Sequence, residues 1–546
     1  MSKLFVIAIG GTGMRCLESF VHLCAIGMFD NKEIDILTLD TDQNNGNKGR
    51  VEQLIDLYNN VKKDGAVEGV ANSGTFFSAK INLYKFFTDY SSQERKNYGL
   101  LSVPAAGLPN ADQIKEDNRD LSNLLLDPDV QEFNLEHGYR AQTHLGSLLM
   151  YNGIVEAMRN AVNNKDRALP QEKALAQFVK SIANEGATRV FVFGSIFGGT
   201  GASSIPIIPK ALKDAASLDG TNTLDLDAVK FGSTLLTQYF SFPQPDKSQK
   251  EKDKIIANSD NFAINSQAAL QFYQSDPTVK MCYKRFYHIG WPKSHAFKIN
   301  NEGATITGGK EQENDCHVVE LLCACAAYDF FNLKDEDLDN KEAVYQFRCI
   351  EDKEGAYTFT GKDFIDGDDG EAFANKLGIF LSFSHIVLSL NRAATRGELG
   401  TKAFISRLDR QNIKDYDSIT DVQTKEIDDY LKKFAYNISN KSHALEPGWI
   451  YQINKSVGSG SFIFKSKAFE ANVKSLEDID PGDLYEDTKY RWDHKTFRSR
   501  YDTLVELLTR PDSFPNEKNQ QVHSTKEKFL AHIFNGIAIA QKFNAK

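Results

Sequence analysis

The chain has no excess of positive charge. Lys and Arg together number 64 against 74 Asp and Glu, a formal net charge of −10 at neutral pH over 546 residues. Electrostatics therefore gives no support to a nucleic-acid-binding or anionic-membrane role, and neither is expected as a partner. Any phosphate bound must be held by backbone donors and magnesium, not by a basic surface. Paired cysteines are missing too. The seven, at 16, 24, 282, 316, 323, 325 and 349, are scattered and mostly sit inside apolar runs, which is buried-thiol usage and not a disulfide framework. Cys323 and Cys325 fall about 200° apart around a helix axis, so they cannot chelate one metal together. Asp366, Asp368, Asp369 and Glu371 lack the ligand spacing of a calcium loop, and no metal site is expected. No apolar run reaches the ~18 residues of a membrane-spanning helix, and the N-terminus lacks a basic, cleavable leader, so a cytoplasmic location is expected.

What remains is an ordinary globular composition, 41% hydrophobic and 25% charged, in a chain long enough for two or three domains. Its most informative stretch is 188–212. Val190 to Phe193 has the length and the β-branched and aromatic content of a buried strand. Gly198-Gly199-Thr200-Gly201-Ala202-Ser203-Ser204 follows, then the apolar Ile205 to Leu212. Strand, glycine turn and helix together aim backbone N–H groups at an anion. Glycine admits a phosphate closely and tolerates positive φ, while Thr200, Ser203 and Ser204 offer hydroxyls. A β-branched side chain at Gly199 or Gly201 is expected to block binding without unfolding the protein. The competing reading is a glycine-rich connection that binds nothing.

A second unit of the same kind opens the chain. Lys3 to Ile9 reads as a buried strand, Gly10-Gly11-Thr12-Gly13 as the turn and Met14 to Ile26 as the helix. The next apolar run, Ile34 to Leu39, ends in Asp40-Thr41-Asp42. A dinucleotide-binding fingerprint fails because its third position, residue 16, is Cys, and it leaves the second turn unexplained. A P-loop fails because no Gly-Lys-Ser/Thr follows either turn.

Two glycine turns with an acidic strand end resemble the tubulin/FtsZ superfamily, over roughly residues 1–335, in the form of a divergent bacterial tubulin-like protein. Phe197 and Ser203 stand where that family's second signature carries glycines, and Met14 where its first loop often has asparagine. The resemblance implies an α/β fold: a doubly wound parallel-sheet nucleotide domain over 1–310 with an insertion about 44–137, a long buried core helix over 311–332, and an α+β C-terminal domain over 333–546 that ends in an amphipathic helix. It implies a self-assembling GTPase that holds GTP or GDP with Mg2+ between head-to-tail protomers, with other protein partners through the C-terminal region. The alternative is a tubulin-like structural or adaptor protein that binds nucleotide with little or no hydrolysis.

The nucleotide-binding residues so implied are Gly10, Gly11, Thr12, Gly13, Asp40, Asp42, Gly138, Gly198, Gly199, Thr200, Gly201, Ala202 and Ser203. Arg140 either touches a terminal phosphate or is a surface or capping arginine. Asn265 and Asn314 are the amides offered to a guanine base, with a helix N-cap as the other reading of Asn314. After the core helix, Asp335, Asp337 and Asp339 are the carboxylates that would activate water on a neighbouring protomer's nucleotide. A solvated acidic turn is the competing reading.

Overall fold

The computed structural model describes residues 3–63 apart from Gln43, 76–88, parts of 116–132, 138–241 apart from Arg140, Gly186 and 221–223, then 258–291, 297–298 and 310–348 apart from Glu311 and 313–315. It also describes 361–370, scattered positions from 372 to 387, 421–439, Trp449 and 525–542. The strands are β1 (Leu4–Ile9), β2 (Glu33–Asp40), β3 (Lys80–Phe87), β4 (Arg189–Phe193), β5 (Lys230–Leu236), β6 (Phe240–Ser241), β7 (Tyr283–Ile289), β8 (Phe297–Lys298) and β9 (Val344–Arg348). Seven of them form one all-parallel sheet in the order β3-β2-β1-β4-β5-β7-β9, while β6 pairs only with β8. The fold is α/β, with helices flanking the sheet.

Parallel strands buried on both faces need near-continuous apolar runs, and β1 supplies Leu-Phe-Val-Ile-Ala-Ile. Alternate side chains feed two cores. Val6 and Ala8 join one with Phe191 and Phe193 of β4; Phe5, Ile7 and Ile9 join the other with Val190 and Val192. The first core is closed by α1 (Gly10–Ala25), α2 (Gly46–Lys63) and a long helix farther along the chain. The second is closed by α3 (Thr143–Asn163), α4 (Pro170–Glu185) and α6 (Ile208–Ser217), which follows the short α5 (Thr200–Ser204). Between β5 and β7 come α7 (Phe262–Ser275) and α8 (Pro277–Cys282).

The long helix is α9 (Val318–Asn332), the core helix, buried on nearly every side. It is shorter than the expected 311–332, because His317 caps it: Nδ1 of His317 accepts the Val319 N–H at 3.2 Å, and Glu320 accepts the His317 N–H at 2.9 Å. At the other end, Arg189 donates to the carbonyl oxygens of Phe330 and Phe331. A buried ion network ties the top of this helix to α1: Arg15 pairs with Glu18 and, at 3.1 Å, with Glu320, while Arg50 of α2 reaches Glu18 at 3.0 Å. Tyr239 donates to the remaining oxygen of Glu320.

Two expectations meet a different arrangement. Within the stretch expected as an insertion, 46–63 forms α2 and 80–87 forms the edge strand β3, which pairs with β2 over its whole length. The polar, glycine-rich start of α2 and the half-exposed face of β3 hid both. Met281 and Cys282 close α8, and β7 starts directly after them at Tyr283. Val344–Arg348, expected beyond the core helix in another region, extends the sheet as its edge strand. The described C-terminal residues pack on the first core: Tyr430 of α10 (Asp421–Ser439) bonds His22 of α1 at 3.0 Å, and Phe534 of α11 (Thr525–Lys542) meets the Phe76 ring edge-on.

Candidate functional site

From β1 the chain steps outward to β2 and β3, then returns to the other side of β1 as β4 and steps outward again. The reversal between β1 and β4 opens a crevice at the C-terminal ends of the strands, where open parallel sheets place their ligands. Both glycine turns lie there. The first is not a loop but the opening turn of α1, which begins at Gly10 directly after the extended Ile9. Gly10 has φ +66°, a conformation that L side chains rarely adopt, and a Cβ on it would stand 3.2 Å from the Cβ of Thr200. The two turns thus touch. The first N–H groups of α1, those of Gly10, Gly11 and Thr12, have no acceptor within the helix and point out of its positive end, whereas that of Gly13 falls to the carbonyl of the N-cap Ile9.

Gly138 comes to the same place, with φ +83° and its Cβ position 3.4 Å from the Thr200 hydroxyl and 3.9 Å from that of Thr41. By strand register Asp40 lies beside Gly10, since Leu39 pairs with Ile9. Asp40 Oδ1 accepts the N–H groups of Thr41 at 2.8 Å and Asp42 at 3.3 Å. Burial, reinforced by neighbouring Asp42, lifts the Asp40 carboxyl to about 7. Gly10, Gly138 and Thr200 are therefore brought together at these strand ends, with Asp40 beside Gly10 and Asp42 two residues on, and with Gly11, Thr12, Gly198, Gly199 and Thr200 partly exposed.

Other expected residues have structural duties. A Cβ on Gly13 would stand 2.6 Å from the Phe193 carbonyl oxygen, and one on Gly201 2.5 Å from that of Ser195. Both glycines are required for close packing. Gly199 and Gly201 are also helical, so positive φ is not what the second turn asks of them. The Ser203 hydroxyl is buried and donates to the Thr200 carbonyl at 3.1 Å, which removes it as a phosphate donor. Ala202 is buried, and its carbonyl accepts from Tyr273 at 2.7 Å. Asn265 donates to the Phe197 carbonyl at 3.3 Å, bracing the second turn from α7. Arg140 and Asn314 lie outside the described residues.

Sequence reasoning missed an amide cluster. A Cβ on Gly11 would meet Asn45 Nδ2 at 3.3 Å, Asn47 Nδ2 at 3.4 Å and Gln312 Oε1 at 3.5 Å. Asn45 donates to Gln312 at 2.6 Å, joining the segment after β2 to the approach of the core helix. Asn45 and Asn47 lie at the start of the stretch expected as an insertion, where amides give no periodic signal, and Gln312 was passed over for Asn314 two residues on.

The acidic turn is elsewhere. Asp335 pairs with Arg189 at 2.7 Å and Asp339 with Lys230 at 3.2 Å, and those cations begin β4 and β5. The turn therefore lies at the N-terminal ends of the strands, opposite the crevice. Asp337 is exposed, and its carbonyl accepts from Asn340 at 3.0 Å. Among the described residues no group of three or more His, Cys, Asp or Glu side chains gathers to hold a metal, and no helix is long and apolar enough to cross a membrane. Searches against protein families, curated proteins and solved structures found no match to this chain.

Proposed function

We propose that the chain is a guanine-nucleotide-binding, self-assembling GTPase of the tubulin/FtsZ kind, its nucleotide held between head-to-tail protomers. The observation that carries this reading is the placement of two features at opposite ends of the core helix. The glycine turns stand at one end of the sheet and Asp335, Asp337 and Asp339 at the other. Fifteen helical residues span about 22 Å, so those carboxylates do not reach their own chain's glycine turns. They reach a second chain's turns only when protomers stack end to end.

In this reading the phosphates rest on the N–H groups of Gly11 and Thr12 and on the Thr200 hydroxyl, where the positive end of α1 favours an anion. Mg2+ takes most of its ligands from phosphate and water and enters with the nucleotide. Asn45, Asn47 and Gln312 offer amide donors and acceptors to the polar edges of ribose and base. An acidic side chain from the next protomer positions water, a task set by geometry more than by a shifted pKa.

The test is the rate of GTP turnover per protein molecule as a function of protein concentration, with sedimentation in GTP and in GDP. A shared site gives a rate that rises with concentration and assemblies that pellet in GTP. A flat rate rejects the shared site. The second reading, a tubulin-like structural or adaptor protein with little or no hydrolysis, draws on one specific observation: Asp335 and Asp339 are already ion-paired within their own chain. GTP-dependent pelleting without turnover would favour it.

A further inference from the structure

The crevice contains buried polar atoms that nothing in the fold satisfies. Asp40 Oδ2, Thr41 Oγ1 and Thr88 Oγ1 all lie at the ends of β2 and β3 and have no hydrogen-bond partner among the described residues. Asp40 is 2% exposed and Thr41 and Thr88 5% each. The two strand ends are in contact, since the Thr88 N–H donates to the Asp40 carbonyl at 3.1 Å. Buried polar atoms in folded proteins are satisfied almost without exception, so atoms left bare beside a crevice mark the place of a ligand.

The charges around Asp40 say what form it takes. Its own strand end adds Asp42. From α2, Lys48 faces it, but the Lys48 ammonium is held by Glu52 at 2.6 Å. The ends of β1 and β3 contribute Gly10, Phe87 and Thr88, none of them charged. Two adjacent carboxylates facing an already neutralised lysine would repel a phosphate at the mouth of α1 unless one of them lost its charge.

This inference rests on the nucleotide reading and deepens it. We propose that Asp40 is protonated when the crevice takes its anionic ligand, and that Oδ2 then donates a hydrogen bond to a phosphate oxygen lodged over the first turn of α1. Oδ1 stays occupied by the Thr41 and Asp42 N–H groups, which fixes Oδ2 as the free atom. Thr41 Oγ1, unpartnered and close to the Gly138 Cβ position, completes the contact from the side of Thr200. The raised carboxyl, about 7, makes the protonated form available near neutral pH.

The test is calorimetric titration of the full chain with GDP in EDTA between pH 5.5 and 8.5, for the wild type and Asp40→Asn. The amide keeps a donor at Oδ2's place and cannot titrate. Relative to Asp40→Asn, the wild type is expected to lose affinity above pH ~7 by about tenfold per pH unit. In two buffers of different ionisation enthalpy at pH 8, it should take up close to one proton per GDP bound, and the variant none. Parallel pH profiles for the two proteins, or proton release by the wild type, overturn the proposal while the nucleotide reading stands. Absence of nucleotide binding at every pH, with or without Mg2+, overturns both. Should the variant not fold, the buffer-dependent proton uptake of the wild type decides alone.

Discussion

Arg189 and Asp335 meet where the sheet begins and the core helix ends, with Nη2 2.7 Å from Oδ1. The Asp335 side chain is 94% exposed, so the ion pair itself contributes little, whereas Nη1 of Arg189 closes two helix-end carbonyls at 3.1 and 2.9 Å.

Arg189→Ala is therefore expected to cost about 2 kcal/mol of unfolding free energy, from charged hydrogen bonds to the core helix end. Asp335→Ala should cost less than about 0.5 kcal/mol. Urea denaturation of both variants measures the difference; equal losses would mean that the ion pair, and not the cap, holds the helix end.

At the glycine turns, fold and ligand roles separate by position. Gly13→Ala and Gly201→Ala place a Cβ against backbone oxygens at 2.6 and 2.5 Å, and are expected to lower stability by about 3 kcal/mol or prevent folding. Gly198→Ala meets only the Ser195 hydroxyl, at 3.5 Å, and should fold normally. Thermal unfolding of the three proteins checks this ordering. A stable Gly201→Ala protein would contradict the close packing.

Arg15→Met leaves the buried carboxylates of Glu18 and Glu320 short of a cation, and a loss of about 3–5 kcal/mol is expected at pH 8. Burial already raises the Glu320 carboxyl, and removing Arg15 raises it further. The cost of the variant is thus present above that raised value and shrinks as pH falls and Glu320 takes a proton. Denaturant midpoints of wild type and variant at pH 8 and pH 5 should converge toward the lower pH; a constant gap would show that packing, not charge, is lost.

Burial lowers His22 to about 4 from its ordinary 6.5. Between those values the unfolded chain binds the proton and the folded one does not, so stability is full above pH ~6.5 and falls as pH drops toward 4. The slope is about 1.4 kcal/mol per pH unit, about 3 kcal/mol in total. His317, lowered to about 3 chiefly by burial, acts in the same direction. His22→Gln should reduce the acid slope of the wild type by one proton, read from urea midpoints between pH 7 and 4.5.

The central strands were legible because both faces of β1 and β4 are buried, which writes uninterrupted apolar runs into the sequence. The core helix was legible for the same reason, though its start was not. A histidine cap such as His317 falls outside the Ser, Thr, Asp and Asn that usually announce a helix. The edge strands were harder. β3 carries Lys80, Asn82 and Lys85 on partly open positions, and its parallel pairing with β2 is a long-range fact that no local pattern encodes. In the site, glycines and strand-end aspartates could be read in advance. Which glycines pack and which line the crevice could not, because Gly13 is held by Phe193 at the end of β4, far along the chain, and Gly201 by the way the turn folds back on Ser195.

The pairing of β1 with β4 also constrains how the chain acquires its fold. Leu4 is in register with Arg189, a separation of 189 − 4 = 185 residues. During synthesis the strand made first can dock on β2 early, but its other edge waits until β4 has left the ribosome. For that interval six apolar residues present an open, unpaired edge, the kind of surface that joins other chains. Such non-local pairing also slows folding, since the loop must close before any contact rewards it. In refolding from denaturant, yield should therefore depend on protein concentration well before the native stability is in question.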